Sequence, residues 1–486
     1  MSKLKKLAGD TVIYGVSTIL GRLLNWLLMP FYIRTLDPEL FGGVVNIYSY
    51  IAVVLVFLTF GFETGYFRFV KDSNRDILLK TLGTAVTVFS VVFCGLVIIF
   101  RLPIAGWLGN EYLAAEFFVL AALIVSLDSI TSIPFADLRF RNKTIRYASL
   151  KFFSVLLNIA FNVFFLVICP YLLKKEYSFV EYFFDANNKL IYVFVANLIS
   201  SGIIGIMLIP NIFRIKCKLN LNILKDIAKY SYPIMLVGLF GMLIQNIDKI
   251  LMPHLINDNA MKALAIYGAN YKIGILMALF IQSYRLAFEP FFFKEGKNHA
   301  SKELYARILK FFVVFGVIIY VAVLLFIDVI NILLIPEYYE GNIVIPFILL
   351  GQLFFGIYYS LSLWYKLTDK TNFGAFISGI GAIIAIASNI LLVPKFGYLG
   401  AAISSFICFL LMTVISYVIG QKYYSVNYPV FRIVGHIICA IGIVYLAGKL
   451  SISNELFNFA AKAIIFVSYI AFLYLIERKD LIKTLS

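Results

Sequence analysis

Residues 231–253 read SYPIMLVGLFGMLIQNIDKILMP, and residues 263–293 read ALAIYGANYKIGILMALFIQSYRLAFEPFFF. Each segment is long enough to cross a membrane, because about 20 apolar residues in a helix span the hydrocarbon layer. Each also carries charges, namely Asp248 and Lys249 in the first and Lys272, Arg285 and Glu289 in the second. A charged side chain within a bilayer costs roughly 2.5–3.5 kcal/mol and therefore faces a protein interior or a wet cavity. We expect the two segments to line such a cavity.

The composition of the chain is that of a polytopic membrane protein. Of its 486 residues, 62% are hydrophobic and 14% are charged, whereas about 25% of the residues of a soluble domain are charged. The net charge of +16 would suggest nucleic acid as the partner of a soluble protein. In a membrane protein it indicates basic loops on one side, so no nucleic-acid partner is expected. The five cysteines form no CxxC motif and the three histidines are scattered, which predicts neither disulfides nor a metal site.

Fourteen apolar segments are predicted to be transmembrane helices, which makes the chain an all-α polytopic membrane protein. The first follows the basic residues 1–6 and is too long for the apolar region of a signal peptide, which is about 7–15 residues. The predicted spans are 9–34, 41–67, 79–100, 112–136, 147–172, 190–210, 229–253, 263–293, 305–328, 341–366, 372–393, 397–420, 429–448 and 456–476.

The basic residues of the connections predict the orientation of these helices. If the N-terminus lies inside, 29 of the 42 lysines and arginines fall in inside segments and eight in outside segments. The other five lie within the spans. This excess of basic residues on the inside, which alternates from loop to loop, predicts that both termini are cytoplasmic.

A weak internal repeat suggests two halves of like orientation. Leu27-Leu28-Met29-Pro30 ends helix 1, Ile250-Leu251-Met252-Pro253 ends helix 7, and an aromatic residue with glycine follows each, at Phe41-Gly42 and Tyr267-Gly268. Transporter repeats place the substrate site at the interface between halves. The alternative is a chance similarity between two apolar segments. The predicted parts are a six-helix lobe (1–212), a cytoplasmic linker (213–228), a second six-helix lobe (229–420), and helices 13 and 14 (421–486).

Arg22 is the strongest candidate for a functional side chain. It lies 13 residues from Gly9 and 12 from Arg34, so it cannot easily reach either membrane surface. It shares one helical stripe with Asn25. A guanidinium at this depth can bind a phosphate through two hydrogen bonds; the alternative is an ion pair with an acid on a neighbouring helix.

The other candidates for a substrate cavity each have a structural alternative. Asp248 and Lys249 lie toward the outer end of helix 7, where they either line the cavity or bind a cation, or instead reach the interface. Lys272 is deeper in helix 8, and Arg285 is at an inner position that suits either the cavity or interface anchoring. The predicted cavity residues also include three polar residues of helices 2 and 5, namely Glu63, Asn158 and Asn162. Their alternative role is to pair with side chains of neighbouring helices.

Motifs that would indicate an enzyme are missing from the sequence. It contains no GxxxxGK[ST], HExxH or GxSxG in a fitting context. We therefore predict no catalytic residues and no cofactor.

Three parts of the sequence resemble a known family. Residues 27–68 open with LLMPFYIRTLDPELFGG, residues 389–402 read NILLVPKFGYLGAA, and Asp248-Lys249 is followed by Ile266-Tyr267-Gly268. In these parts the chain resembles the bacterial polysaccharide flippases of the O-antigen (Wzx) type, which belong to the superfamily of multidrug and oligosaccharidyl-lipid exporters. Arg22, Asp248 and Lys272 match charged positions of that family approximately.

The resemblance implies a specific transport function. It implies a two-lobed cavity through which an undecaprenyl-diphosphate-linked oligosaccharide crosses the inner membrane by alternating access, coupled to H⁺ or Na⁺. The implied partners are this lipid-linked oligosaccharide and, beyond it, the polysaccharide polymerase and glycosyltransferases of lipopolysaccharide O-antigen synthesis. Membrane lipids are a further expected partner, because the basic stretch 211–228 suits an anionic inner leaflet.

Three rival functions remain at this point. A multidrug exporter is expected to favour acids and aromatic residues in its cavity, whereas the deepest charges here, Arg22 and Lys272, are basic. A lipid II flippase would share the diphosphate chemistry, and the sequence does not separate it from the first reading. A membrane polysaccharide polymerase would need a large outside loop with catalytic residues, and the longest outside loop spans only residues 171–189.

The position of Arg22 generates a direct test. We expect Arg22→Ala to abolish export of surface polysaccharide while the protein still inserts into the membrane, because the guanidinium would no longer meet the diphosphate. Export and the amount of inserted protein are measured in the same cells. Normal export by this variant would remove Arg22 from the mechanism.

Overall fold

The fold is all α-helical. The computed structural model describes residues 21, 23–70, 73–108, 113–213, 219–274, 276–285, 300–368, 370, 372–450 and 454–485. These residues form helices and connections and contain no β-strand. Helices are the expected solution for an open chain in lipid, since they satisfy every backbone hydrogen bond within one segment. The predicted fold class is therefore confirmed.

The described residues contain twelve helices that are long and apolar enough to cross a membrane. A helix pair, Ala260–Ile273 and Leu276–Arg285, bends by 45° and makes one further, broken span, α8. Residues 23–35 are the described part of the first predicted span, α1, and are helical. The twelve continuous spans are α2 (Pro38–Phe69), α3 (Arg75–Ile99), α4 (Ala115–Phe140), α5 (Thr144–Lys174), α6 (Lys189–Ile212), α7 (Leu221–Leu255), α9 (Lys302–Leu325), α10 (Pro336–Tyr365), α11 (Asn372–Phe396), α12 (Tyr398–Tyr423), α13 (Val430–Gly448) and α14 (Glu455–Arg478).

The helix α7 begins earlier than the sequence predicted. The helix starts at Leu221 rather than near residue 229, inside the stretch predicted to be a linker. The side chain of Asn220 caps it by accepting a hydrogen bond from the backbone N–H of Ile223 at 3.1 Å. Such a cap satisfies one of the N–H groups that the first helical turn leaves without a partner.

The chain divides into two compact units, unit 1 (Met1–Gly268) and unit 2 (Ala269–Ser486). In unit 1, α4 packs against α2, α3 and α6, and α7 packs along α2. The start of α8 also belongs here, because a Cβ on Gly42 of α2 would lie 2.1 Å from the carbonyl oxygen of Met261. The division between these compact units thus falls within α8, and the predicted lobes 1–212 and 229–420 with the linker 213–228 stay a prediction.

Unit 2 is organised around α10, which packs against α9 and α12. Over the most apolar 18 residues of each helix, 72% of the residues of α10 are buried, compared with 11% of those of α14. The helices α13 and α14 both pack on α9. The two C-terminal helices are therefore attached at the outside of unit 2, with most of α14 left to face lipid.

The turn between α11 and α12 requires glycine at two positions. Gly397 has φ 56° and ψ −137°, a conformation that is nearly restricted to glycine. A Cβ on Gly400 would lie 2.3 Å from the carbonyl oxygen of Leu392. The backbone conformation of Gly397 and the close approach at Gly400 give a physical reason for these two glycines in residues 389–402.

The connections between spans provide a test of the predicted orientation. We expect cysteines introduced as Asn142→Cys and Lys218→Cys to be shielded from an impermeant label added outside, and Ser178→Cys to react with it. Cys94, Cys169 and Cys408 are buried and Cys439 is half-buried, so the substitutions are made in a background with Cys217→Ser and Cys439→Ser. Labelling is measured on intact cells, with permeabilised cells as the control for reactivity. The reverse pattern would overturn the orientation.

Candidate functional site

The candidate residues of α7 form a buried ion pair in unit 1. The side chains of Asp248 and Lys249 are 1% and 6% exposed. Lys249 Nζ lies 3.0 Å from Asp248 Oδ1 and 3.2 Å from Oδ2, and it also donates to the carbonyl oxygen of Gln245 at 2.9 Å. Each charge therefore has a partner inside the protein, and the roles that the sequence left open for the pair stay predictions.

Two further buried side chains hold this pair in place. The hydroxyl of Tyr267, at the start of α8, donates to Asp248 Oδ2 at 2.5 Å. The amide nitrogen of Asn46 in α2 donates to the carbonyl oxygen of Lys249 at 2.9 Å. Asn46 is 1% exposed and Tyr267 is fully buried. The cluster therefore ties α2, α7 and the start of α8 together in a net-neutral, hydrogen-bonded arrangement.

The candidate residues of α8 lie on either side of its break. Lys272 is half-buried one position before the first segment ends at Ile273, and Arg285 is exposed at the end of the second segment. Arg285 rests over the ring of Tyr359, with its Cζ 4.1 Å from the ring centre. The first segment is held by Asn270, whose amide nitrogen donates to the carbonyl oxygen of Tyr338 at 2.9 Å. Discontinuous helices of this kind form substrate sites in transporters.

The candidates of α1 and α5 have different surroundings. Arg22 lies outside the described residues, and Asn25 is exposed in α1. Asn162 is buried, accepts a hydrogen bond from the Tyr32 hydroxyl at 3.0 Å, and donates to Asn158 Oδ1 at 2.9 Å. A π-helical segment, Phe164–Ile168, begins two residues further on. The two asparagines thus link α1 to α5, which is the alternative role that the sequence left open.

Glu63 belongs to a charge network at one end of unit 1. It forms a salt bridge with Arg139 of α4. The neighbouring Asp137 is 5% exposed. It accepts hydrogen bonds from Arg75 Nε at 2.6 Å, from Arg75 Nη2 at 2.7 Å, and from the Tyr66 hydroxyl at 2.8 Å. Sequence reasoning missed Asp137. Its only signal in the sequence is that Arg139 and Arg141 follow it closely.

A second set of buried charges, in unit 2, was also missed. Glu477 of α14 is 1% exposed and forms a salt bridge with Lys310 of α9, which is 2% exposed. Its other oxygen, Oε1, lies 3.1 Å from His436 Nε2 of α13. Lys310 is one of the 29 lysines and arginines that the sequence assigns to inside segments, and its burial was not predicted. These three side chains join α13 and α14 to α9.

Within the described ranges, no group of three or more histidine, cysteine, aspartate or glutamate side chains could hold a metal ion. Lys272 and Arg285 lie in unit 2, whereas Asp248, Lys249, Asn158, Asn162 and Glu63 lie in unit 1. Asp248 contacts Lys249 directly, and Asn158 contacts Asn162. Chemically, the arrangement offers buried pairs that stabilise the helices, together with the cations Lys272 and Arg285 of α8.

The sequence matches known proteins of polysaccharide synthesis. A family model described as "Polysaccharide biosynthesis protein" matches residues 7–295. Capsular polysaccharide biosynthesis protein CapF of Staphylococcus aureus is 25% identical over 398 residues, which cover 80% of this chain and 93% of CapF.

Solved structures of transporters have a similar fold. The lipid II flippase MurJ in its inward closed conformation aligns with a TM-score of 0.71 and 16% identity, over 97% of this chain and 100% of that one. A multidrug resistance MATE family transporter of the MOP superfamily, inward-facing, aligns with a TM-score of 0.63 and 12% identity, over 86% and 96%. At such identities the likeness shows the fold alone.

The buried pair of α7 generates a test of its role. We expect Asp248→Ala to destabilise the protein by about 3–5 kcal/mol, because it leaves the Lys249 ammonium buried without its carboxylate. The double variant Asp248→Asn/Lys249→Met, which removes both charges, is expected to recover most of that loss. Thermal unfolding of the detergent-purified protein measures both. A double variant as unstable as the single one would show that the charge pair is not the origin of the stability.

Proposed function

Because the chain belongs to the polysaccharide biosynthesis protein family, we propose that it is a flippase for an undecaprenyl-diphosphate-linked oligosaccharide. The cargo would cross the bacterial inner membrane, in which the chain lies with both termini in the cytoplasm. The observation that carries this proposal is the broken helix α8, with Lys272 just before its break and Arg285 at its end. Cations at a discontinuous helix suit an anionic substrate within a membrane.

The physical chemistry of the cargo supports the same function. A diphosphate attached to sugars cannot cross hydrocarbon unaided, so its carrier must supply cations for the phosphates. Arginine binds phosphate through a planar pair of donors and lysine through a compact charge. Alternating access then requires that the cargo bind one conformation more tightly than the other, since only a differential affinity can shift the equilibrium.

Coupling to H⁺ or Na⁺ is part of the proposal, and Asp128 in α4 is the acid that we assign to it. The carboxylate is half-buried within the span and accepts a hydrogen bond from the Ser201 hydroxyl of α6 at 2.8 Å. Unlike Asp137, Asp248 and Glu477, it has no salt bridge among the described residues. An acid inside a membrane that interacts with a cation, here Lys151 of α5, without a salt bridge suits reversible binding of a proton or cation.

Two observations bear on the identity of the polysaccharide, and they point to different classes. CapF is named for capsular polysaccharide, whereas the motifs of residues 27–68 and 389–402 resemble flippases of the O-antigen type. In either case glycosyltransferases would build the lipid-linked oligosaccharide on the cytoplasmic side, and a polymerase would use it on the other side. These enzymes are therefore the proposed functional partners.

A transport assay with Lys272 variants tests the proposal. In vesicles that contain the purified protein and a fluorescent lipid-linked oligosaccharide, we expect Lys272→Gln to slow translocation roughly tenfold, because one charge-assisted hydrogen bond to the diphosphate is lost. Lys272→Arg should retain most of the activity. The matched control is Lys395→Gln, which removes an exposed lysine of α11. The rate is measured as the fraction of cargo that becomes accessible to an impermeant reagent.

The same vesicles separate the rival functions. A wild-type protein that moves lipid II as fast as the oligosaccharide cargo would be a lipid II flippase, and one that moves only a cationic dye would be a drug exporter. Absence of translocation of the oligosaccharide cargo by an inserted, folded wild-type protein would refute the proposed function. Equal slowing by Lys272→Gln and Lys395→Gln would remove Lys272 from the site.

A further inference from the structure

Three cations at one end of unit 2 rest on tyrosine rings that other helices contribute. Their charged groups lie 3.7–4.6 Å from the ring centres, well within the range of a cation–π contact. We call these six side chains the cation–tyrosine surface. The contacts are Arg285 Cζ on Tyr359 at 4.1 Å, Lys302 Nζ on Tyr424 at 4.6 Å, and Lys370 Nζ on Tyr423 at 3.7 Å.

Aromatic packing joins the three contacts into one patch. Tyr284 and Tyr424 both pack on a small core formed by Tyr305 and Leu363. The next residue, Trp364, stacks on the ring of Tyr423 with centroids 5.5 Å apart. Beside Tyr359, Ser360 Oγ lies 2.9 Å from the Tyr284 hydroxyl. Packed side chains of one region of unit 2 therefore link the three cation–ring contacts.

The contacts differ from the local cation–ring contacts of the chain, while Arg139, Lys151 and Lys249 also lie over rings of other helices. Lys175 lies over Tyr171 and Lys449 over Tyr445, in each case four residues apart along one helix, where side chains are neighbours by geometry alone. The three contacts of the cation–tyrosine surface instead join α8 to α10, α9 to α12, and the start of α11 to α12. Their positions therefore depend on the tertiary fold.

In the described part of the chain, no salt bridge neutralises the cations of the cation–tyrosine surface. Arg75, Lys249 and Lys310 each contact a carboxylate, whereas none of the three cations of the surface has a carboxylate partner among the described residues. A ring face attracts a cation but carries no net charge and accepts hydrogen bonds only weakly. Three positive charges, with N–H donors still available, are thus held in fixed positions. Arg285 and Lys370 are exposed.

The location of the surface fits a role at the start of transport. It is formed by the ends of α8, α10 and α12 and the starts of α9 and α11, which therefore meet at one end of unit 2. The distribution of basic residues predicts that these termini face the cytoplasm. That is the side on which a lipid-linked oligosaccharide would arrive.

We propose that the cation–tyrosine surface binds the diphosphate of the lipid-linked oligosaccharide before it is translocated; this inference rests on the proposed function. A diphosphate carries several negative charges on adjacent groups, which matches three cations placed together. The phosphodiester of a phospholipid headgroup carries one charge and matches them less well. Arg285 supplies a bidentate contact, and Lys302 and Lys370 supply compact charges.

Binding of a short substrate mimic to the full-length protein in detergent tests the proposal. The probe is farnesyl diphosphate, with farnesyl monophosphate for comparison. We expect the triple variant Arg285→Gln/Lys302→Gln/Lys370→Gln to bind farnesyl diphosphate roughly tenfold or more weakly than the wild type, because its charge-assisted hydrogen bonds are lost. The charge-keeping variant Arg285→Lys/Lys302→Arg/Lys370→Arg should bind like the wild type, which also controls for folding.

A second triple variant controls for general surface charge. Arg68→Gln/Lys225→Gln/Lys229→Gln removes three exposed cations from unit 1 on the side that is also predicted to face the cytoplasm. We expect it to bind farnesyl diphosphate as the wild type does. An equal loss in both triple variants, or no loss in the first, would overturn the proposal.

Two comparisons identify the ligand and keep the proposals separate. Vesicles of phosphatidylglycerol that compete as well as farnesyl diphosphate would assign the surface to phospholipid headgroups and overturn the diphosphate assignment. Binding is measured without transport, so a protein that translocates the oligosaccharide cargo but binds the probe elsewhere refutes only this inference. A protein that binds the probe at the surface but translocates nothing refutes only the proposed function.

Discussion

Pairing of buried charges is the interaction on which the described helices depend. A charge inside a membrane is costly, and the cost is offset only where a partner of opposite charge and good geometry is at hand. Within the described ranges, three spans carry a buried acid that meets a cation directly: Asp137 meets Arg75, Asp248 meets Lys249, and Glu477 meets Lys310. Two of these pairs join different helices, α3 to α4 and α9 to α14, so they also select which helices become neighbours. Removal of one partner would leave the other buried and charged.

The sequence was sufficient to predict the helices but not their partners. Apolar length predicted the membrane spans, because the thickness of the hydrocarbon layer sets it. The pair formed by Lys310 and Glu477 could not be foreseen, since the two residues are far apart in the sequence. Helical periodicity gives the face of a residue but not the helix opposite, and in a membrane both lipid and protein neighbours are apolar. Lys310 therefore looked like one more basic residue of the inside region.

The surroundings of the candidate residues were predicted with the same asymmetry. Charge within an apolar run correctly singled out Asp248 and Lys249 as unusual, but their partners, Tyr267 and Asn46, became clear only from the packing of α2 and α8 on α7. The break in α8 falls at Gly274, and it had no clear signal in the sequence because single glycines are common within membrane helices. The cation–tyrosine surface was hidden for a further reason: Arg285 and Tyr359 lie on separate helices, and their contact requires the fold.

The two ways in which this chain holds cations have different consequences for binding. A lysine paired with a buried carboxylate, as Lys249 is, can take up a phosphate only if the carboxylate is displaced and left charged in an apolar environment, which opposes binding. A cation on a tyrosine ring has no such competitor, because the ring is neutral and keeps its packing when an anion arrives. Aromatic contacts therefore position a cation and reduce the entropy lost on binding, while they leave its charge available to the ligand. In a chain whose buried acids are largely committed to cations, charges of this second kind are the ones suited to an anionic cargo.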